Sequence, residues 1–229
     1  MADTRQKLID GALETIRTLG IAGVSARTLA ATAGVNQALV FYHFGSVDDL
    51  LAEACLAGSR ARVENYRERF AQASSLRELL DVGRQLHEEE RALGNVTVLA
   101  QMLAGAQSDA KLAEPTARAL ALWVAEIEAV LTRLLAPTPI ADLADPAGLA
   151  RAVSAAFIGL ELFEGVDPAG ATAALDALEQ LATLVEVMEE LGPVAKRAVR
   201  AKLRRPTPAP PRARSPRRTP RTSPPPPST

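Results

Sequence analysis

The residue types best placed to do chemistry lie between Asn36 and Phe44. Asn36 and Gln37 head a short apolar segment in which Val40 and Phe44 share one helical face with Val35. Ala38, Tyr42 and the two amides share the other. An amide side chain offers a donor and an acceptor side by side, which matches the major-groove edge of adenine. The stretch before it, Leu29-Ala30-Ala31-Thr32-Ala33-Gly34-Val35, has small residues at Ala30 and Ala33 that let two helices approach closely. Gly34 can take the left-handed conformation that a tight turn requires. This is the pattern of a helix-turn-helix. It is equally the pattern of an ordinary helical hairpin with polar surface residues, and periodicity alone leaves both open.

Other chemistries find little support. Cys55 and His87 could form a nucleophile–base pair, but Cys55 sits in a segment that reads as helix core, where cysteine acts as a small hydrophobe. A carboxylate di-iron site needs Glu-x-x-His pairs, and neither His43 nor His87 has a glutamate three residues before it. One cysteine and two histidines are too few for a His/Cys zinc site. There is no Gly-rich phosphate loop and no G-x-S-x-G. No enzyme, cofactor or metal is expected.

The elements that must position Asn36–Phe44 are helical. About a third of the 229 residues are Ala or Leu, and the β-branched residues that favour strands are scarce. Leu8, Ile9, Ala12, Leu13, Ile16 and Leu19 form one apolar face, closed by Gly20. Ser25 is the expected N-cap of a second helix ending at Gly34, and Ser46 opens a long fourth with Asp49 at its third position. Further helices are expected near 75–92, 95–107, 115–135, 146–164 and 170–191, with Pro115 and Pro146 in first turns. The fold class is all-α.

Charge divides the chain into three parts. Residues 1–47 are nearly neutral, 48–192 are strongly acidic, and no acidic residue follows Glu190, although 11 of the 26 basic residues lie there. From Pro206 to Thr229 there are ten prolines and no aliphatic side chain larger than Ala, a composition that cannot bury enough surface to order itself. The expected organisation is a helix-turn-helix domain over 1–47, a larger helical domain over 48–192, and a tail over 193–229 with a short helix at 194–204. No segment reads as a signal peptide or a membrane span, so a soluble cytoplasmic protein with no membrane partner is expected.

Arg27-x-Leu29-Ala30-x-x-Ala33-Gly34-Val35, then Phe41-Tyr42-His43-Phe44-x-Ser46, then Leu50 and Ala54, resembles the N-terminal domain of the TetR family of bacterial transcriptional regulators over about residues 4–56. The resemblance implies that Ser25 and Arg27 contact phosphate or a base edge. It implies that Asn36, Gln37 and Ala38 lead a recognition helix into the major groove, and that Tyr42 and His43 bond backbone phosphates. His43, beside Phe41 and Phe44, has partly buried core as its other reading. Two positions depart from the family. Val47, followed by Asp48 and Asp49, stands where a phosphate-binding Lys is usual, and Leu39 stands where Thr is common. The two carboxylates suit the helix dipole but would repel phosphate. The basic tail has two readings, compensating attraction through counterion release or a solvated extension.

Beyond residue 56 the likeness is one of style. Two long apolar stripes, one including Phe157 and Leu160 and the other Leu178, Leu181, Val185 and Met188, resemble the family's two-fold interface and imply a homodimer. His87, Gln101, Met102 and Trp123 are sparse polar or large groups on Ala/Leu-rich helices, and they are candidates for contacts to an unidentified small-molecule effector. The expected function is a ligand-responsive repressor reading a pseudo-palindromic double-stranded DNA operator. The alternative is a helical interaction or scaffold protein with weakened DNA binding.

Overall fold

The computed structural model describes residues 2–138, 145–189 and 192–203, and the Pro-rich segment 206–229 lies outside them. Among the described residues there are ten α-helices and no strand: α1 (Ala2–Leu19), α2 (Ala26–Ala33), α3 (Ala38–Phe44), α4 (Val47–Gln72), α5 (Leu76–Ala92), α6 (Asn95–Ser108), α7 (Ala110–Leu135), α8 (Pro146–Glu164), α9 (Pro168–Glu189) and α10 (Pro193–Leu203). A single 3-10 turn, Ile21–Gly23, joins α1 to α2.

Local chemistry sets most of these ends. At α2 the Thr28 amide donates to Ser25 Oγ at 3.1 Å and the Ser25 amide donates to Thr28 Oγ1 at 2.9 Å, a reciprocal capping box. Gly34 ends the helix at φ 66°, in the left-handed region. Ser46 and Ser75 cap α4 and α5 by accepting from the amides of Asp49 and Glu78, at 3.0 and 3.1 Å. Gly11 answers a different need, because a Cβ there would lie 2.8 Å from that of Ala33. Only hydrogen lets α1 and α2 close to this distance.

The sequence pattern places the start of α7 at Pro115, but the helix begins at Ala110 and carries Pro115 inside it. Asp109 caps the earlier start by accepting from the Lys111 amide at 2.9 Å. The proline's missing N–H forfeits one bond, to the Lys111 carbonyl, while the added turn buries Leu112. Similarly, α9 begins at Pro168 rather than at 170, and Asp167 Oδ1 accepts from the Gly170 amide at 3.0 Å.

Two apolar clusters hold the chain together. The first joins Leu8, Ile16, Leu29, Val40 and Leu50, all fully buried, to Val98 and Met102 of α6 and Leu112 of α7. The second joins Tyr66, Phe70, Leu79, Leu86 and Val130 around α4, α5 and α7. The helix-turn-helix therefore shares its core with the larger part. Helix α4 runs out of that shared core for 26 residues, a rise of about 39 Å. It packs along α7, and α7 in turn packs on α8.

Candidate nucleic-acid interface and internal cavity

Val40 is fully buried, while Val35 and Phe44 pack half-buried against the same core. Their burial turns the opposite face of α3 outward. Asn36, Gln37, Ala38 and Tyr42 are exposed, Tyr42 by 72%. Asn36 Oδ1 accepts from the Ala38 amide at 2.8 Å, so one amide side chain fixes the head of the helix. Gln37, beside it, makes no side-chain hydrogen bond among the described residues and is free to read a base edge. Arg27 is exposed at the start of α2 with no ion pair among the described residues. Ser25 is exposed as well, but its hydroxyl serves the cap of α2. His43 is half-buried, with Tyr42 edge-on at 5.0 Å and Phe44 at 6.4 Å. Arg5 lies over the Phe44 ring at 5.0 Å, a cation–π contact that braces the recognition helix from α1. Leu39 is half-buried against the core.

The acidic start of α4 is less repulsive than its sequence suggests. Lys111 Nζ of α7 lies 2.8 Å from Asp48 Oδ2, and Ser46 Oγ donates to Asp49 Oδ2 at 2.6 Å. The Asp48 carboxylate also raises the lysine's pKa. A partner 63 residues away left no local signal in the sequence.

An elongated cavity of about 410 Å³ runs between α4 and α9. Its wall is mostly apolar, with Leu79, Leu99, Met102, Trp123 and Phe157 among its residues. Polar groups interrupt it at Arg62, Glu90, Asn95, Thr116 and Glu161. Of the four residues proposed from sequence for this role, Met102 and Trp123 line the cavity and His87 and Gln101 do not. His87 instead ties α5 to α8, with Nε2 2.7 Å from Glu164 Oε2 and Nδ1 3.4 Å from Glu161 Oε1. Gln101 Oε1 accepts from the Ile21 amide at 3.1 Å, tying α6 to the 3-10 turn.

Sequence reasoning missed both buried carboxylates. Glu90 receives Arg62 Nε at 3.0 Å and Asn95 Nδ2 at 2.9 Å, both on Oε2. Burial pushes its carboxyl above the ordinary range, and Arg62 and Asn95 pull it back. Burial also raises Glu161, with His87 pulling it down and Glu90 and Glu164 pushing it further up. Cys55 lines the same cavity, where burial raises its thiol pKa and so disfavours the nucleophilic thiolate.

The proposed interface residues Phe157, Leu160 and Leu178 are half-buried and also line the cavity. The side chains of Leu181, Val185 and Met188, on α9, lie outside the described residues. Helix α8 is largely apolar, with Arg151, Ser154, Glu161 and Glu164 as its polar residues, and by length and composition alone could cross a membrane, yet it packs on α7 and α9. Ala152, Gly159 and Phe163 are exposed on its outer face, while Ala156, exposed as well, also lines the cavity.

Comparison with known proteins agrees with this geometry. Residues 8–54 match the profile described as bacterial regulatory proteins, tetR family. An uncharacterized HTH-type transcriptional regulator of Mycobacterium tuberculosis is 26% identical over 125 residues, 55% of this chain. The chain spans 64% of that relative's length. A crystal structure from Rhodococcus sp., described as a TetR-family transcriptional regulator, superposes with a TM-score of 0.68 at 26% identity, over 81% of this chain and 99% of that one. The transcriptional regulator FadR from Bacillus subtilis, in complex with stearoyl-CoA, shares the fold, with a TM-score of 0.65 at 16% identity, over 77% of this chain and 96% of its own. With its capped α2, left-handed turn and outward-facing α3, the N-terminal region at residues 8–54 belongs to the bacterial regulatory proteins of the tetR family.

Proposed function

We propose that this protein is a ligand-responsive transcriptional regulator, a repressor that reads a pseudo-palindromic operator as a homodimer and is released by a small molecule. The observation that carries the reading is the shared core: Met102 lines the cavity and also packs in the cluster that seats Val40 of the recognition helix. Occupying the cavity therefore bears on the element that presents Gln37. DNA and effector would favour different placements of the helix-turn-helix, and each would weaken the other's binding by the same factor.

The exposed apolar face of α8 supports pairing with a second copy. A dimer gives the reading its physical sense, because two recognition helices about 34 Å apart meet successive major grooves. In this arrangement Gln37 and Asn36 approach base edges, Arg27 and Tyr42 approach phosphates, and the Asp48–Lys111 pair lowers the acidic cost beside the backbone. The apolar cavity fits an effector with an apolar body, as the stearoyl-CoA held by the Bacillus subtilis FadR has in its acyl chain.

The test is a binding selection from randomised duplex DNA with the full chain and with Gln37→Ala. An enriched pseudo-palindrome, relaxed at one position per half-site by the substitution, is the expected result. Only salt-labile binding that disappears when 206–229 are removed would instead favour a helical interaction protein whose tail alone attracts DNA.

A further inference from the structure

The polar groups of the cavity are unevenly matched. Glu90 on α5 and Glu161 on α8 are 6% and 7% exposed and line the same cavity from different helices. Arg62 and Asn95 both take Oε2 of Glu90, leaving Oε1 with only the Tyr66 hydroxyl at 3.5 Å. Glu161 has one described partner, His87 Nδ1 at 3.4 Å, and that imidazole is held closer by Glu164, at 2.7 Å. The other cation in the wall, Arg84, is engaged by Asp176 and Glu179 at 3.4 and 2.8 Å. Two buried carboxylates thus share one cavity with spare acceptor capacity. A buried carboxylate short of partners is costly, and a ligand cation is the group that would offset the cost.

A separate observation points the same way. Thr116 on α7 lines the same cavity, is 3% exposed, and its hydroxyl has no hydrogen-bond partner among the described residues. Buried polar groups are nearly always paired in a folded protein, so this hydroxyl is suited to pair with a polar atom of a ligand.

We propose that the effector of this cavity is a lipophilic amine, an apolar body bearing one protonated nitrogen that lodges between the carboxylates of Glu90 and Glu161. The apolar remainder of the cavity wall, Trp123 among it, takes the body. At about 30 Å³ per atom, 410 Å³ holds a ligand of roughly 14 non-hydrogen atoms. An anionic head would meet two carboxylates, with Arg62 already engaged. This inference rests on the reading of the cavity as an effector site and deepens it by naming the chemical class.

Trp123 is the chain's only tryptophan, so its fluorescence reports occupancy directly. The full-length protein is titrated at pH 7 with decylamine, decanol and decanoate, which share one chain and differ in head-group charge. Decylamine is expected to bind at least about tenfold tighter than decanol, with decanoate weakest. Glu161→Gln, which keeps the side chain's size, is expected to abolish the preference for decylamine over decanol. Glu90→Gln provides the same test from α5. Equal affinities for the three compounds, tightest binding of decanoate, or an amine preference that survives both substitutions would each overturn the inference. The unmodified protein alone decides the first two, so a variant that fails to fold does not shield the idea. A protein that selects an operator yet shows no amine preference overturns the ligand class and leaves the regulator reading standing. A protein that prefers the amine yet selects no operator does the reverse.

Discussion

Arg17 Nη2, in the last turn of α1, donates to Asn95 Oδ1, the first residue of α6, at 3.1 Å. The same amide donates through Nδ2 to Glu90 Oε2 at 2.9 Å, and Arg62 Nε reaches that oxygen at 3.0 Å. One side chain is therefore divided between the helix that buttresses the recognition unit and the carboxylate in the cavity wall. A ligand that draws Glu90 toward itself through Oε1 shifts the carboxylate whose Oε2 orients Asn95.

Replacing Asn95 by Ala removes both bonds and leaves Glu90 with Arg62 and, at 3.5 Å, the Tyr66 hydroxyl. The expected loss of stability is about 1–3 kcal/mol, because both partners are charged groups. Urea unfolding at fixed protein concentration measures it. The sharper expectation concerns coupling. Trp123 quenching by decylamine should persist in the variant, while the amine's effect on operator affinity shrinks toward none. An undiminished effect would place the coupling elsewhere.

Gly11 and Gly34 are predicted to fail differently. At Gly11 the obstacle is Ala33, so Ala, and any larger residue more so, forces α1 and α2 apart, at about 1–3 kcal/mol for Ala. At Gly34 nothing lies within 4 Å of a new Cβ, and the cost is conformational, about 1–2 kcal/mol for Ala. Asn tolerates the left-handed region, so Gly34→Asn should recover most of that loss, while Gly11→Asn should be worse than Gly11→Ala. Unfolding curves of the four variants distinguish packing from backbone strain.

Glu161 gives the protein a pH signature. Its carboxyl is raised in the folded state, so between the ordinary glutamate value of 4.5 and the raised one the folded protein binds more protons than the unfolded chain. The stability it contributes is fully present below 4.5 and is lost as pH rises through the raised value. Glu161→Gln should remove that loss. The variant is expected to gain on the parent as pH rises from 4 to 7 in the absence of ligand. A difference that is flat or of opposite slope in urea midpoints would contradict the assignment.

The outer face of α8 is tested by Gly159→Glu. Nothing lies within 4 Å of a Cβ at that position, so the substitution fits the isolated protomer without strain. It would place a charge among Ala152, Ala156 and Phe163. If this face joins two copies, sedimentation should show a dimer for the parent and a monomer for the variant, at unchanged helical content. A dimer in both would move the interface to another surface.

What could be read from the sequence followed the range of the forces involved. The ends of α2 and the start of α4 are decided within three or four residues, by Ser25, Gly34 and Ser46, and they are legible in the sequence. The outward placement of Asn36, Gln37 and Tyr42 followed from the periodicity of Val35, Val40 and Phe44. Helix α8 has apolar residues on more than one face, so its sequence does not say which face is inner. Only packing decides that Phe157 and Leu160 turn inward while Ala152 and Phe163 turn outward. The start of α7 was misplaced because Pro115 is a strong local signal, and burial of Leu112 outweighs it. Glu90 and Glu161 look like any surface acids of helices rich in them, and the partners that mark them as buried include groups far along the chain, Arg62 for Glu90 and His87, 74 residues away, for Glu161.

The helix-turn-helix is fastened to the larger part by three side-chain bonds around the shared core. Arg17 is held by Asn95 on α6, the Ile21 amide by Gln101 on α6, and Asp48 by Lys111 on α7. Two fastenings lie on α6 and one on α7, so a relative shift of these helices strains them unequally and turns the unit to one side. Because α6 and α7 both border the cavity, a bound molecule that moves one against the other would drive that turn. On the proposed reading, a displacement too small to open the core would be lengthened by the lever arm before it reaches Gln37. The spacing of two recognition helices would then follow the direction of an axis, with neither helix unfolding or repacking.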